Sequence, residues 1–296
     1  MRVSAGRRGV LGLLAGLLLA GAGCGIGEPP TDDGPTTPPA SPSPSPDDPP
    51  NNATAEPSDD ATAAEPARPD WLGTRPLPER PDGLGEVQDT PPELVDRQLP
   101  PPDAEPVADV FEATITDVPE PVAARSTWTS ECPVTLAELR YLTMTFWGFD
   151  GRSYAGEMIV HRSVAEDVVA VFDRIYQAGF PIEEMRVVAA TELTAPPTGD
   201  GNNTSGFACR PTTLSTQWSQ HAYGLAIDIN PFHNPYRRDD AVAPELASAY
   251  LDRDHHRPGM IQPNDEVTRA FAEIGWGWGG EWSSLDDWMH FSQSGR

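Results

Sequence analysis

The residues whose types and spacing can do chemistry gather in two short stretches near the C-terminus. The first is Ser219-Gln220-His221-Ala222-Tyr223-Gly224-Leu225-Ala226-Ile227-Asp228; the second is Asp287-Trp288-Met289-His290-Phe291. Imidazole nitrogen and carboxylate oxygen together suit zinc, and a catalytic zinc site takes three protein ligands and keeps one position for water. His221, Asp228 and His290 would supply that set. A carboxylate between Ile227 and Ile229 on an apolar strand is costly to bury alone, and a cation would compensate it. Gly224 permits the turn that sends the chain back so that Asp228 can approach His221. Asp287, three residues before His290, stands where a carboxylate can take a proton from water and pass it to a leaving amine. Singly, each residue has a duller reading. A histidine beside apolar neighbours is commonly a hydrogen-bonded core residue, Asp228 can be an N-cap or an arginine partner, and Asp287 can be an exposed loop acid. The joint pattern favours a metal site.

The remaining histidines read differently. His161 and His233 look structural. His255-His256 lie in an insertion-like stretch, residues 237–262, whose arginines and acids suggest a solvated loop. Glu281 is the alternative to Asp287 as base.

Several elements must position these groups. Leu139 to Phe149 is rich in β-branched and aromatic residues, ends at the turn signal Asp150-Gly151 and is followed by Gly156 to His161, which predicts a hairpin. Ser163 with Glu166 forms a capping-box pattern, and Val164, Val168, Val171, Phe172 and Ile175 mark the apolar face of a helix ending near Gly179. Met185 to Thr191 reads as a strand, residues 194–220 as a long polar loop, and Leu225 to Ile229 as a strand. Asn264 to Ile274 reads as a helix stopped by Gly275, and Trp288 to Ser292 as a last short strand. Strands and helices do not alternate regularly, so the expected class is α+β, a small mainly antiparallel sheet with flanking helices.

The first part of the chain is unlike this. Residues 25–124 hold 24 of the 34 prolines and 22 acids against four arginines. Such a segment buries too little apolar surface to offset its ordering entropy and is expected to be a disordered, extended tether. Val95, Leu99, Val107, Val110 and Phe111 leave part of residues 88–124 open to packing. Arg2, Arg7 and Arg8 precede an apolar stretch from Val10 to Ala20, too short to span a bilayer, which reads as an export signal. The net charge is −25 and lysine is absent, so there is no basic patch for nucleic acid. Setting aside Cys24 leaves Cys132 and Cys209, which outside the cell are expected to form a disulfide rather than two buried thiols. The folded domain is expected to span residues 125–296 and to act as a monomer.

The run Ser219-x-His221-x-x-Gly224-x-Ala226-x-Asp228 followed by Asp287-x-x-His290-Phe291 resembles the zinc D-alanyl-D-alanine carboxypeptidases of the VanY type. It resembles still more closely the related L-alanyl-D-glutamate endopeptidases. Gly156-Glu157-Met158-Ile159-Val160, Phe180-Pro181-Ile182, Cys209-Arg210-Pro211 and the run from Gly275-Trp276 to Gly279-Gly280-Glu281-Trp282 extend the likeness over about residues 130–293. The resemblance implies zinc ligands His221, Asp228 and His290, with Asp287 as base. Arg210 would stabilise the polarised carbonyl or a substrate carboxylate, and Ser219 would help hold the substrate. It also implies peptidoglycan stem peptides as substrate and the α+β fold shared with the Hedgehog signalling domain. Aspartate at position 287, where the carboxypeptidase branch usually has glutamate, points toward an internal bond. Leu19-Ala20-Gly21-Ala22-Gly23-Cys24 resembles a bacterial lipoprotein signal, although Gly21 stands where leucine is usual. That likeness implies acylation of Cys24 and an exported domain held at the membrane facing the wall. The alternative function is a zinc-containing module that binds wall peptides without cutting them.

Overall fold

The computed structural model describes residues 68–81, 84–102, 104–212 and 215–296. Strand β1 (Ala113–Thr116) and the short helix α1 (Glu120–Arg125) lead into the longest hairpin, β2 (Leu139–Trp147) and β3 (Ser153–His161). Its antiparallel register runs from Leu139 opposite His161 to Trp147 opposite Ser153, and β1 pairs with the other edge of β2. Helix α2 (Ala165–Gln177) buries Val168, Val171, Phe172 and Ile175 in the main core against this sheet. It is entered from Val164 without a side-chain cap. The Ser163–Glu166 capping box does not form, because the Ser163 hydroxyl is engaged with Nδ1 of His161 at 2.7 Å.

Next come β4 (Glu184–Met185) and β5 (Asn203–Thr204), which pair in parallel. The strand expected over Met185 to Thr191 is therefore cut short. The Arg186 amide donates to the Asn203 side chain at 2.9 Å, and Glu192 accepts from the Ala189 amide at 2.6 Å, starting a 3-10 turn instead. The chain continues through β6 (Ala226–Asp228), β7 (Tyr236–Arg238) and β8 (Ala241–Ala243) to helix α3 (Glu266–Glu273). Asp265 caps α3 by accepting from the Thr268 amide at 2.8 Å. The last strands are β9 (Gly277–Trp278), β10 (Asp286–Asp287) and β11 (His290–Ser292). Strand β11 lies between β6 and β9, and β7 lies between β10 and β8, all antiparallel. The strand expected over Trp288 to Ser292 is shortened to His290–Ser292, because Trp288 and Met289 form the turn between β10 and β11. The architecture is α+β, with small sheets and few helices.

The tether reading is corrected for residues 68–124. Leu77, Leu94 and Leu99 are buried with Phe232, Leu246, Ala247, Tyr250 and Met260 in a second core. Arg97 is 3% exposed and Glu183, its partner, 1%. We call residues 68–81 and 84–102 the strap. Composition misleads here because a few well-spaced leucines and one arginine suffice when the receiving surface is already folded, and proline loses no backbone donor by lying against it. The receiving surface is the 237–262 stretch. His255 and His256 are exposed, as a solvated loop requires, but Leu246, Ala247, Tyr250 and Ile261 are fully buried. The signal segment, Cys24 and the tether up to residue 67 lie outside the described residues. A disulfide joins Cys132 to Cys209, with Cα atoms 5.9 Å apart. No helix among the described residues is long and apolar enough to cross a membrane.

Candidate metal centre

His221 sits in a 3-10 turn, Gln220–Tyr223, that Ser219 caps by accepting from the His221 amide at 3.3 Å. Gly224 ends the turn at φ +67°. A Cβ there would meet the His161 amide nitrogen at 2.6 Å, so this close crossing over β3 requires glycine. The turn returns the chain into β6, whose last residue, Asp228, lies directly opposite His290 of β11. The register of one strand pair therefore places a carboxylate beside an imidazole, and the turn before it delivers the second imidazole.

The three side chains converge. His221 Nε2 is 3.2 Å from Asp228 Oδ2, His290 Nδ1 is 3.1 Å from Asp228 Oδ1, and the two ring nitrogens are 3.2 Å apart. All three donor atoms lie within 4.8 Å of one another. His221 Nδ1–H donates to the Gly206 carbonyl at 2.6 Å, which leaves Nε2 with its lone pair aimed at the cluster. Nδ1 of His290 and the Asp228 oxygens face the same point. Converging lone pairs repel unless a proton or cation lies between them. His290 Nε2 is a buried polar atom with no hydrogen-bond partner among the described residues. Two imidazoles and one carboxylate, oriented by a carbonyl behind the first ring, fit zinc. Burial alone would raise the Asp228 pKa, but the adjoining His221 and His290 outweigh it and hold the carboxyl well below the ordinary range.

Asp287 has the opposite electrostatics. Burial pushes its pKa up to about 7; the charge of Asp228 adds to the rise, while His290 and Arg210 oppose it. Its Oδ1 is sealed from solvent and has no hydrogen-bond partner among the described residues. Gly279 allows this placement, because a Cβ there would stand 2.4 Å from the Asp287 carbonyl oxygen and 2.8 Å from its Cβ. Arg210 is half-buried, contacts the Pro211 carbonyl at 3.3 Å and follows directly on the disulfide at Cys209. The Cys209 amide donates to the Thr127 hydroxyl at 2.9 Å, a second tie on the same segment.

The structure thus brings His221, Asp228 and His290 together with Asp287 close by, sets Arg210 near enough for its charge to act on Asp287, and caps the turn that carries His221 with Ser219. Glu281 is exposed, and His255 and His256 do not join the donor cluster. His161 is engaged with Ser163, and His233 is buried against Asn202 and Arg97. Sequence reading missed the Gly206 carbonyl and the Trp282 ring, whose centroid lies 5.4 Å from that of His290. A carbonyl leaves no residue-type signal, and Trp282 was one of several tryptophans near the motif.

Compared with known proteins, residues 213–293 match the family model described as D-alanyl-D-alanine carboxypeptidase. The matched stretch contains His221, Asp228, Asp287 and His290 and stops short of Arg210. It supports a peptidase of that kind. No curated protein matches, and no solved structure matches.

Proposed function

We propose that this chain is an exported zinc metallopeptidase that hydrolyses amide bonds in peptidoglycan stem peptides. The observation that carries this reading is the convergence of His221 Nε2, Asp228 and His290 Nδ1 beside a desolvated Asp287 carboxyl. It lies within the stretch that matches the carboxypeptidase family. His221, Asp228 and His290 would hold the ion. Zinc in such a setting supplies a Lewis acid and lowers the pKa of water.

The chain's own residues do the rest. Asp287 takes a proton from the attacking water and returns it to the leaving amine, a task suited to a carboxyl that titrates near neutral pH. Arg210, whose charge acts on Asp287, stabilises the oxygen that gains charge or pairs with a substrate carboxylate. Ser219 keeps His221 in place through its amide and borders the substrate. Acylation of Cys24 would hold the domain at the membrane facing the wall, with residues 25–67 as spacer, and a single chain is the working unit.

The test is hydrolysis of purified cell wall and of a synthetic stem pentapeptide by the protein before chelation, after it, and after zinc is restored. Amide cleavage that disappears with chelation and returns with zinc is the expected result. Zinc-loaded protein that binds the peptide but leaves it whole would replace the peptidase reading with a non-cutting wall-binding module. Cleavage indifferent to chelation would remove zinc from the scheme.

A further inference from the structure

Strands β7 and β10 form a two-faced ladder beside the donor cluster. Arg237 lies opposite Asp286, and its Nε donates to Asp286 Oδ2 at 3.0 Å. The same guanidinium lies 5.3 Å from the centre of the Trp288 ring. Arg237, Asp286 and Trp288 therefore share one face. Side chains alternate along a strand, and residues directly opposite across an antiparallel pair lie on the same side. The next pair, Asp287 opposite Tyr236, must then share the other face. The Asp287 carboxyl feels the charges of His290, Asp228 and Arg210, so that second face is the one bordering the donor cluster.

Tyr236 is half-buried, and its hydroxyl has no hydrogen-bond partner among the described residues. Four of the other five tyrosines are engaged through their hydroxyls, while that of the fifth, Tyr223, also has no hydrogen-bond partner among the described residues. Tyr141 donates to Glu157, Tyr154 to Asp150, Tyr176 is bonded to Ser153, and Tyr250 accepts from the Arg97 amide. Tyr223 packs beside a core cluster, whereas Tyr236 belongs to none of the three cores. Its backbone is nevertheless fixed from both sides, with Asp287 on one and Ala243 of β8 on the other. A ring set rigidly next to Asp287, with a donor that the protein itself leaves unused, has the properties of a substrate contact.

We propose that Tyr236 is a further substrate-contacting residue, its phenol O–H donating a hydrogen bond to a peptide carbonyl oxygen next to the amide that Asp287 serves. This rests on the peptidase reading above. It also gives the 237–262 stretch a purpose: β8 and the buried segment after it hold β7, and with it Tyr236, against β10.

Tyr236→Phe removes the hydroxyl and keeps the ring. In the zinc-loaded full chain acting on a stem pentapeptide, kcat/KM should fall about tenfold, which is the loss of one well-placed hydrogen bond. Zinc content and melting temperature should stay unchanged. Turnover within twofold of wild type would overturn the proposal and leave the peptidase reading intact. A wild-type protein that binds the peptide without cutting it would defeat the peptidase reading alone, and Tyr236 would then be judged by binding. A Kd raised about tenfold in Tyr236→Phe would sustain the contact, and an equal Kd would end it. Wild-type protein that neither binds nor cuts would end both.

Discussion

Two clusters of buried polar side chains lie in this domain, and they are finished to different degrees. In the strap cluster, Arg97 Nε and a terminal nitrogen grip the two Glu183 oxygens at 2.7 Å each, while the other terminal nitrogen donates to the Asp200 carbonyl at 2.7 Å. Glu183 also accepts from Asn202 at 2.7 Å and from Arg68 at 3.1 Å. His233 Nε2 donates to the Arg97 carbonyl at 2.9 Å, and its Nδ1 faces Asn202. Burial alone would raise the Glu183 pKa, but Arg97 overrides it and the carboxyl is held below the ordinary range. In the candidate metal centre, Asp287 is only partly buried as a residue but its Oδ1 is sealed from solvent without a partner among the described residues, and burial together with the charge of Asp228 pushes its pKa up to about 7. His290 Nε2 and Asp287 Oδ1 are without partners among the described residues. A buried carboxylate whose geometry is completed by an arginine becomes structure; one whose geometry is left incomplete stays available for protons and ligands.

The contrast breaks most visibly at Asp287. Asp287→Ala should lower kcat/KM about 10²–10⁴-fold while zinc content stays at wild-type level, because a base is needed for turnover and not for coordination. His290→Ala should lose both activity and zinc. Near-normal turnover in Asp287→Ala together with loss in Glu281→Ala would move the base to Glu281.

At the other cluster the expected effect is on stability. Arg97→Met leaves Glu183 buried without its partner and should cost about 3–5 kcal/mol in denaturant unfolding. Zinc content at low temperature should be unaffected. A cost below about 1 kcal/mol would show that the strap is an ornament on the domain rather than part of it.

The disulfide sharpens the comparison from the side of Arg210. Replacing Cys132 and Cys209 with serine should lower unfolding stability by up to about 4 kcal/mol in the chain-entropy model. It should also reduce turnover more than zinc content, since Cys209 precedes Arg210 and is not itself a ligand, although the Gly206 and Ala208 backbone of the same segment holds His221. Unchanged turnover would show that Arg210 is positioned without the bond.

The smallest effect is a pH dependence. Burial, the largest cause, lowers the His233 pKa from 6.5 to about 4 in the folded chain. The unfolded chain therefore binds the proton first as pH falls. His233's contribution is fully present above about pH 6.5 and is lost between there and about pH 4, by on the order of 3 kcal/mol at most. The lowered Glu183 pKa adds a loss of the same sign at still lower pH, below the ordinary glutamate range. Melting temperatures of wild type and His233→Asn across pH 4–7.5 would test it, and parallel curves would remove His233 as the cause.

The candidate metal centre was legible because its donor residues sit in local patterns. His221, Gly224 and Asp228 span one turn and one strand, and Asp287 and His290 fall within four residues of each other. The long hairpin and helices α2 and α3 were legible from alternation and from helical spacing; the short α1 was not. The helix entry at Val164, the short β4 and the turn at Trp288-Met289 before β11 were not, because each depends on which partner takes an amide or hydroxyl. The Ser163 hydroxyl went to His161 and the Arg186 amide to Asn203. The strap was hidden by its composition, since proline and acid counts over a hundred residues say nothing of where three leucines and Arg97 fall.

By itself the sequence marked His221, Asp228 and His290 as a candidate donor set and determined the turn that glycine permits before Asp228, the hairpin and the apolar faces of α2 and α3. These follow from bond geometry and side-chain period, which act over a few residues. The tertiary structure decided that Asp228 stands across from His290, that Gly206 orients His221, and that Tyr236 stands across from Asp287. It also decided that residues 68–81 and 84–102 belong to the folded domain. Each of these is a pairing between distant segments, and its energy comes from desolvation and hydrogen-bond partners that exist only once both segments are in place.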